Sequence, residues 1–295
     1  MKILVTGARG LLGQRLLTEL ATHGHSPIGF SHTTLDITDF AQAQRVIGDV
    51  QPDLVIHCAA MTQVDRCAEQ PDEALRVNGI GTQQIALACQ KFGLPLAYIS
   101  TNEVFDGEQV AGYLEYDQPR PINPYGYSKW VGEQTVRDLL PQHYIIRTSW
   151  GFAHGGDNFL HKMIKAAARG DALSVVTDEV AAPTYTDDLA EAICRLVETE
   201  RYGIYHLVNN GRASRYQFAR YLLDCAGYTD TPIIPIISAQ RPRPSKPPVY
   251  GVLRNYAAAQ IGITLRHWQV AVADFFVREK AVDPSESLPL YVVKS

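Results

Sequence analysis

Short apolar runs alternate with helical stretches through the first half of the chain. Lys2–Val5 predicts a short strand buried on both faces. Leu11, Leu12, Leu16 and Leu17 follow at helical spacing, in a helix that ends before Gly24. Pro27–Phe30 predicts a second strand, Phe40–Val50 a helix, and Leu54–Ile56 a third strand behind the breaker Pro52. One long helix is predicted from about Pro71 to Lys91, and a fourth strand over Leu96–Ser100. A helix over Pro124–Leu140 and a fifth strand over Tyr144–Arg147 complete the series. This rhythm predicts an α/β fold, a Rossmann-type doubly wound parallel sheet with right-handed crossovers. Beyond Trp150 the rhythm loosens. Helices are predicted near 158–169, 186–199 and 214–226, and strands near 173–176 and 204–208. A final helix over 267–280 carries Trp268, Val270, Val272, Phe275 and Phe276. Residues 1–150 therefore form one domain, and 151–295 a smaller lobe that returns elements to it from about 176–210.

Between the first strand and the first helix lie Gly7, Gly10 and Gly13. The first glycine permits a tight turn, the second lets backbone approach a pyrophosphate, and the third lets the helix pack on the sheet. The strand before and the helix after are the context that such a loop needs to hold a dinucleotide. Gly7, Arg9, Gly10, Leu11, Leu12 and Gly13 are its candidate cofactor contacts. The end of the second strand reads Phe30-Ser31-His32-Thr33-Thr34, without the acid that grips an NAD ribose. Arg9, with Ser31 and His32, suits a 2′-phosphate, although Arg9 also suits a solvated surface. NADPH is the expected cofactor, with NADH as the alternative. Asp36, beside Ile37, suits adenine or a cap for the helix that follows.

Tyr125 and Lys129 lie four residues apart behind Asn123 and Pro124, a good cap and a good first helical residue. They share one helix face. An ammonium beside a phenol is expected to lower the phenol's pKa toward the working range of a general acid. Ser100 and Thr101 end the fourth strand at the carboxyl edge, where ligands bind in such sheets. Tyr127 is a rival to Tyr125 but faces away from Lys129. His57 reads as a buried, satisfied histidine.

With 46% apolar and 20% charged residues the chain is not disordered, and a net charge of −4 offers nothing to nucleic acid or an anionic membrane. Five cysteines without a C-x-x-C pair predict neither disulfides nor a metal site, and fit the reducing cytoplasm. A strand starting at Lys2 leaves no room for a signal peptide. No apolar run is long enough to span a membrane.

The chain resembles an extended short-chain dehydrogenase/reductase, and more narrowly the dTDP-4-dehydrorhamnose reductase family. The likeness spans nearly its whole length, through VTGARGLLG (5–13), LDITD (35–39), HCAAMTQVDRCAEQPDEALRVN (57–78), STNEVFDG (100–107) and NPYGYSKWVGE (123–133). It continues through RTSWGF (147–152), VVTDEVAAPTYTDDLA (175–190), YHLVNNGRASRYQFAR (205–220) and RPRPS (241–245). The resemblance implies hydride transfer to a nucleotide-linked 4-keto sugar, with Thr101, Tyr125 and Lys129 as catalytic trio. It puts Ala59, Ala60 and Asn78 beside the cofactor, and Trp150, Asn158, Arg241 and Ser245 toward the sugar nucleotide. Trp150 suits core packing equally, and Arg241 a solvated loop. Family members occur as monomers or dimers, so a homodimer stays open. Two segments depart from the family pattern. Asn102 and Glu103 replace Asp-Tyr and face the substrate; Glu103 matches the base of related dehydratases, but Asn102 cannot supply their acid's proton. The reductases more often carry glutamine and glycine within the stretch that here reads Asp178–Thr184.

Overall fold

Alternate residues of each strand go to opposite faces of one sheet. The computed structural model describes residues 1–155 and 158–282. Its main sheet contains β1 (Lys2–Thr6), β2 (Ser26–Phe30), β3 (Leu54–His57), β4 (Leu96–Thr101), β5 (His143–Thr148) and β6 (Gly203–His206). They are all parallel, in the order β2-β1-β3-β4-β5-β6. On one face Ile3, Val5, Leu54, Ile56, Tyr144 and Ile146 meet Leu16 and Leu20 of the helix Leu11–Thr22. The helix Thr186–Val197 covers the same face with Leu189, Ile193 and Leu196. On the other face Leu4, Val55, Tyr98 and Ile145 meet the helices Phe40–Val50, Gly81–Phe92 and Pro124–Leu139. Each fully buried aliphatic side chain stabilises this sandwich by about 1.5–3 kcal/mol. The order reverses between β1 and β3, which opens a crevice at their carboxyl ends.

The expected long helix over 71–91 is not continuous. Pro71–Ala74 leads into a π-helical stretch, Leu75–Ile80, before Gly81–Phe92 resumes the α-helix. The wider turn sets Asn78 inward, where its Oδ1 accepts from the Met61 amide at 2.8 Å and its Nδ2 donates to Ser128 Oγ at 3.0 Å. Apolar periodicity carries no trace of one extra residue in a turn.

After β5 the chain builds a lobe with its own core of Phe152, Leu160, Tyr185, Phe218, Leu222, Trp268, Phe275 and Phe276. Leu173–Val176 pairs in parallel with Ile233–Ile236, a strand that the sequence pattern does not reveal. In the last helix, Trp268–Val282, Val272 is buried whereas Val270 is exposed. The chain returns to the first half through Thr186–Val197 and β6. No helix among the described residues is long and apolar enough to cross a membrane.

One ion pair lies inside the first half. Arg147 of β5 meets Glu133 of the helix Pro124–Leu139 with two bonds of 2.9 and 2.7 Å. Both side chains are 2% exposed. Ser100 of β4 donates to the same carboxylate at 2.5 Å, so one helix is tied to two strands. Removing one member of such a pair strands the other charge, at a cost of about 3–5 kcal/mol. Arg147→Met is expected to lose that much stability in urea unfolding. Adding Glu133→Gln should recover part of the loss. A single-variant loss below about 1 kcal/mol would show that the pair does not hold the helix.

Candidate active site

The loop after β1 turns back so tightly that only glycine fits at its ends. Gly7 has φ +68°, and a Cβ there would lie 2.7 Å from the Ala59 amide nitrogen. A Cβ on Gly13 would strike the Gly7 carbonyl. Gly10 precedes the first helical residue and gives its orphan amides no side-chain cap. Those N–H groups and the positive end of the helix dipole remain available to an anion.

This loop forms one end of a cleft of about 580 Å³ along the carboxyl edge of the sheet. The cleft brings together Gly7, Arg9, Gly10, Leu11, Leu12, Gly13, Ser31, His32, Ala59, Ala60 and Ser100. Thr101, Asn102, Glu103, Tyr125, Lys129 and Trp150 line the same space. Leu11 and Leu12 belong to the apolar stripe of the first helix, yet Leu11 is 37% exposed and faces the cleft rather than the core.

Six other expected contacts do not line it. Ile37 is buried in the core, against Gly81. The Asp36 carboxylate accepts from the Thr38 amide and hydroxyl, which hold its pKa low; Asp39 caps the next helix instead. Asn158 caps the helix Phe159–Ala168 and donates to the Ala153 carbonyl. Arg241 is exposed on its loop. Ser245 is buried, with its amide on Asp65. Asn78 also stands behind the cleft, bracing the loop after β3 against the tyrosine helix. His57 is buried and satisfied as expected, bonded to Thr6 and Thr82, and burial drives its pKa down to about 3. Tyr127 is exposed and packs on Trp130.

Tyr125, Lys129 and Glu133 follow at one-turn intervals on the same helix face. The helix starts at Asn123, whose Oδ1 accepts from the Gly126 amide at 2.8 Å. Lys129 is 3% exposed, and its Nζ lies 4.1 Å from the centre of the Tyr98 ring. Burial pulls its pKa down to about 7, against the pull of Glu133. Tyr125 departs from the sequence expectation. Its pKa is raised, first by burial and then by the Glu103 carboxylate, while a hydrogen bond with Thr101 works the other way. Burial and the Glu103 charge prevail, so the free phenol holds its proton. Thr101 Oγ1 also accepts from the Glu103 amide at 3.2 Å.

The far end of the cleft holds a residue that the sequence pattern did not single out. Arg215 lies flat on Trp150, its guanidinium carbon 3.5 Å from the ring centre, with Glu179 at 3.8 Å. Burial lowers its pKa to about 10. Its side chain makes no hydrogen bond among the described residues, so its N–H groups are free for a ligand's oxygens. Trp150 is held at φ +41°, a strained setting for a bulky residue. The available signal was the capping box Ser214-x-x-Gln217, which starts a helix and puts Arg215 in its first turn. Ser149 and Thr186 also line the cleft, unpredicted.

A family model described as RmlD substrate binding domain matches residues 1–281. The spore coat polysaccharide biosynthesis protein SpsK of Bacillus subtilis (strain 168) is 38% identical over 93% of this chain and 96% of its own. A dTDP-4-dehydrorhamnose reductase of Mycolicibacterium smegmatis is 37% identical over 92% of this chain and 84% of its own. Among solved structures, dTDP-4-dehydrorhamnose reductase from Bacillus anthracis in complex with NADP shares 35% identity with a TM-score of 0.89. That likeness covers 94% of this chain and 99% of the other.

Asn123 ties the cleft together, since its Nδ2 donates to Glu103 Oε2 at 2.7 Å and to the Lys246 carbonyl at 3.1 Å. Asn123→Ala is expected to cost about 0.5–2 kcal/mol in thermal unfolding through the lost cap. An unchanged midpoint would mean that other contacts hold the start of the helix.

Proposed function

The chain belongs to the RmlD substrate-binding domain family, and from that membership and its cleft we propose an NADPH-dependent reductase of a nucleotide-linked 4-keto-6-deoxy sugar. The substrate is dTDP-4-dehydrorhamnose and the product dTDP-rhamnose. The observation that carries this reading is the meeting of Thr101, Tyr125 and Lys129 in one cleft with the glycine loop.

The residues present fit the cofactor. Gly7 and Gly13 leave no room for side chains where a pyrophosphate must approach backbone. Arg9, Ser31 and His32 line that end without a carboxylate, which suits a 2′-phosphate. When bound, NADPH supplies the hydride. Tyr125 donates its proton to the carbonyl oxygen, and Thr101 donates a hydrogen bond to that same oxygen. The raised pKa suits a donor in the reducing direction, because the phenol is protonated before each turnover. Lys129 stabilises the phenolate that proton transfer leaves. Trp150, Asn102, Glu103 and Arg215 border the sugar nucleotide.

The two halves divide the work. Residues 1–150, completed by the returning helix and β6, hold the dinucleotide, and the later lobe closes the substrate end. The five free cysteines suit the cytoplasm.

Tyr125→Phe is expected to lower turnover by about 10²–10⁴-fold while NADPH affinity holds. Absorbance of NADPH with dTDP-4-dehydrorhamnose measures the first, and fluorescence titration the second. Near-normal turnover would remove Tyr125 from the chemistry. Arg9→Ala should raise KM for NADPH about tenfold or more and leave KM for NADH nearly unchanged. Equal effects on both would free Arg9 of the 2′-phosphate.

A further inference from the structure

Among the described residues that line the cleft, Glu103 is the only carboxylic acid, and the reduction leaves it without a task. It is firmly placed. Its amide donates to Thr101 Oγ1 at 3.2 Å, and its Oε2 accepts from Asn123 Nδ2 at 2.7 Å. Gly126 sits so close to its backbone carbonyl that a Cβ there would overlap it. Oε1 has no hydrogen-bond partner among the described residues. One oxygen is thus anchored and the other is left to the cleft.

Its charge state suits proton traffic. Burial raises the pKa to about 7, and Glu179 adds to that. Asn123, Arg215 and Arg243 pull the other way. Near neutral pH the group both takes and returns protons. It is also near enough to Tyr125 that its charge raises the phenol's pKa. A ketone hydrogen-bonded by Thr101 and Tyr125 therefore has a carboxylate beside it. Hydroxyl donors aimed at that oxygen stabilise an enolate as they stabilise an alkoxide.

We propose that Glu103 gives the chain a second activity, exchange with solvent of the proton on a carbon next to the sugar's keto group. The inference rests on the reading of the cleft as a keto-sugar site. Glu103 Oε1 takes the proton, and the electron pair of the broken C–H bond forms the enolate C=C. The carbonyl oxygen takes the negative charge and accepts hydrogen bonds from Thr101 and Tyr125. The carboxyl proton exchanges with water through the open cleft. A solvent proton then returns from Glu103 to the same carbon, and the ketone re-forms. Nothing is oxidised or reduced. Because the same carboxylate removes and returns the proton on one face of the enolate, exchange retains configuration.

The test uses NADP⁺-loaded enzyme, which cannot reduce the ketone, with dTDP-4-dehydrorhamnose in deuterium oxide. Proton NMR follows the carbons that flank the keto group. Exchange with retained configuration, about a hundredfold or more above the enzyme-free rate, is expected. Glu103→Gln keeps an acceptor for Asn123 and should lower that rate by about 10²–10⁴-fold. Circular dichroism and NADP⁺ titration confirm that the variant is folded. Exchange that survives in Glu103→Gln overturns the assignment. NADPH oxidation by the unaltered enzyme with the same sugar separates the two readings. Oxidation without exchange sinks the second activity alone, exchange without oxidation sinks the reductase alone, and absence of both sinks both.

Discussion

The active site depends on a buried carboxylate that does not belong to it. Glu133 binds Arg147 with both oxygens and accepts from Ser100, so the helix that carries it is fixed against β4 and β5. Lys129 and Tyr125 sit one and two turns earlier on the same face. A rigid helix carries position faithfully over that distance, so the clamp sets where the phenol and ammonium meet the cleft. The same negative charge is the largest influence that keeps Lys129 protonated against its burial.

Desolvation then tunes the groups that face the ligand. It brings Lys129 and Glu103 from opposite sides to about 7, and moves Tyr125 away from neutrality. A lysine and a carboxylic acid that ordinarily differ by about six units thus become comparable proton carriers. Meeting groups of this kind in one cleft is a mark of chemistry rather than packing. At the far end of the cleft, the Arg215 guanidinium is oriented by an aromatic face instead of by hydrogen bonds, which leaves its donors unspent.

Much of this was legible in the sequence because it depends on local rules. Lys2–Val5, Phe40–Val50 and Pro124–Leu140 announce themselves through apolar period, caps and breakers, and the structure places those elements within a residue or two. Gly7, Gly13, Tyr125 and Lys129 are legible because each sits at a fixed offset from such an element. What stayed hidden is made by contacts distant in sequence. Arg147 reads as the last residue of a strand until Glu133 is seen beneath it. Asp36 and Asn158 carry the right side chains for ligand contact, but nearby backbone amides claim their oxygens. Arg215 looks like one more basic residue on a helix until Trp150 turns up below it. The phenol's raised pKa is hidden for the same reason, since spacing shows the lysine and conceals the burial.

The order in which the sheet is completed has a consequence for synthesis. β6 and the helix Thr186–Val197 are encoded after the first part of the lobe, yet they close the β5 edge and cover one face of the sheet. While the ribosome is still extending the lobe, β5 presents an unpaired row of backbone groups beside uncovered Tyr144 and Ile146. Such an edge is a template for pairing with another chain. The nascent protein thus passes through a stage in which its first half is translated but not sealed. Until that edge is closed, a partly made chain is open to pairing with its neighbours in a way that the finished fold is not.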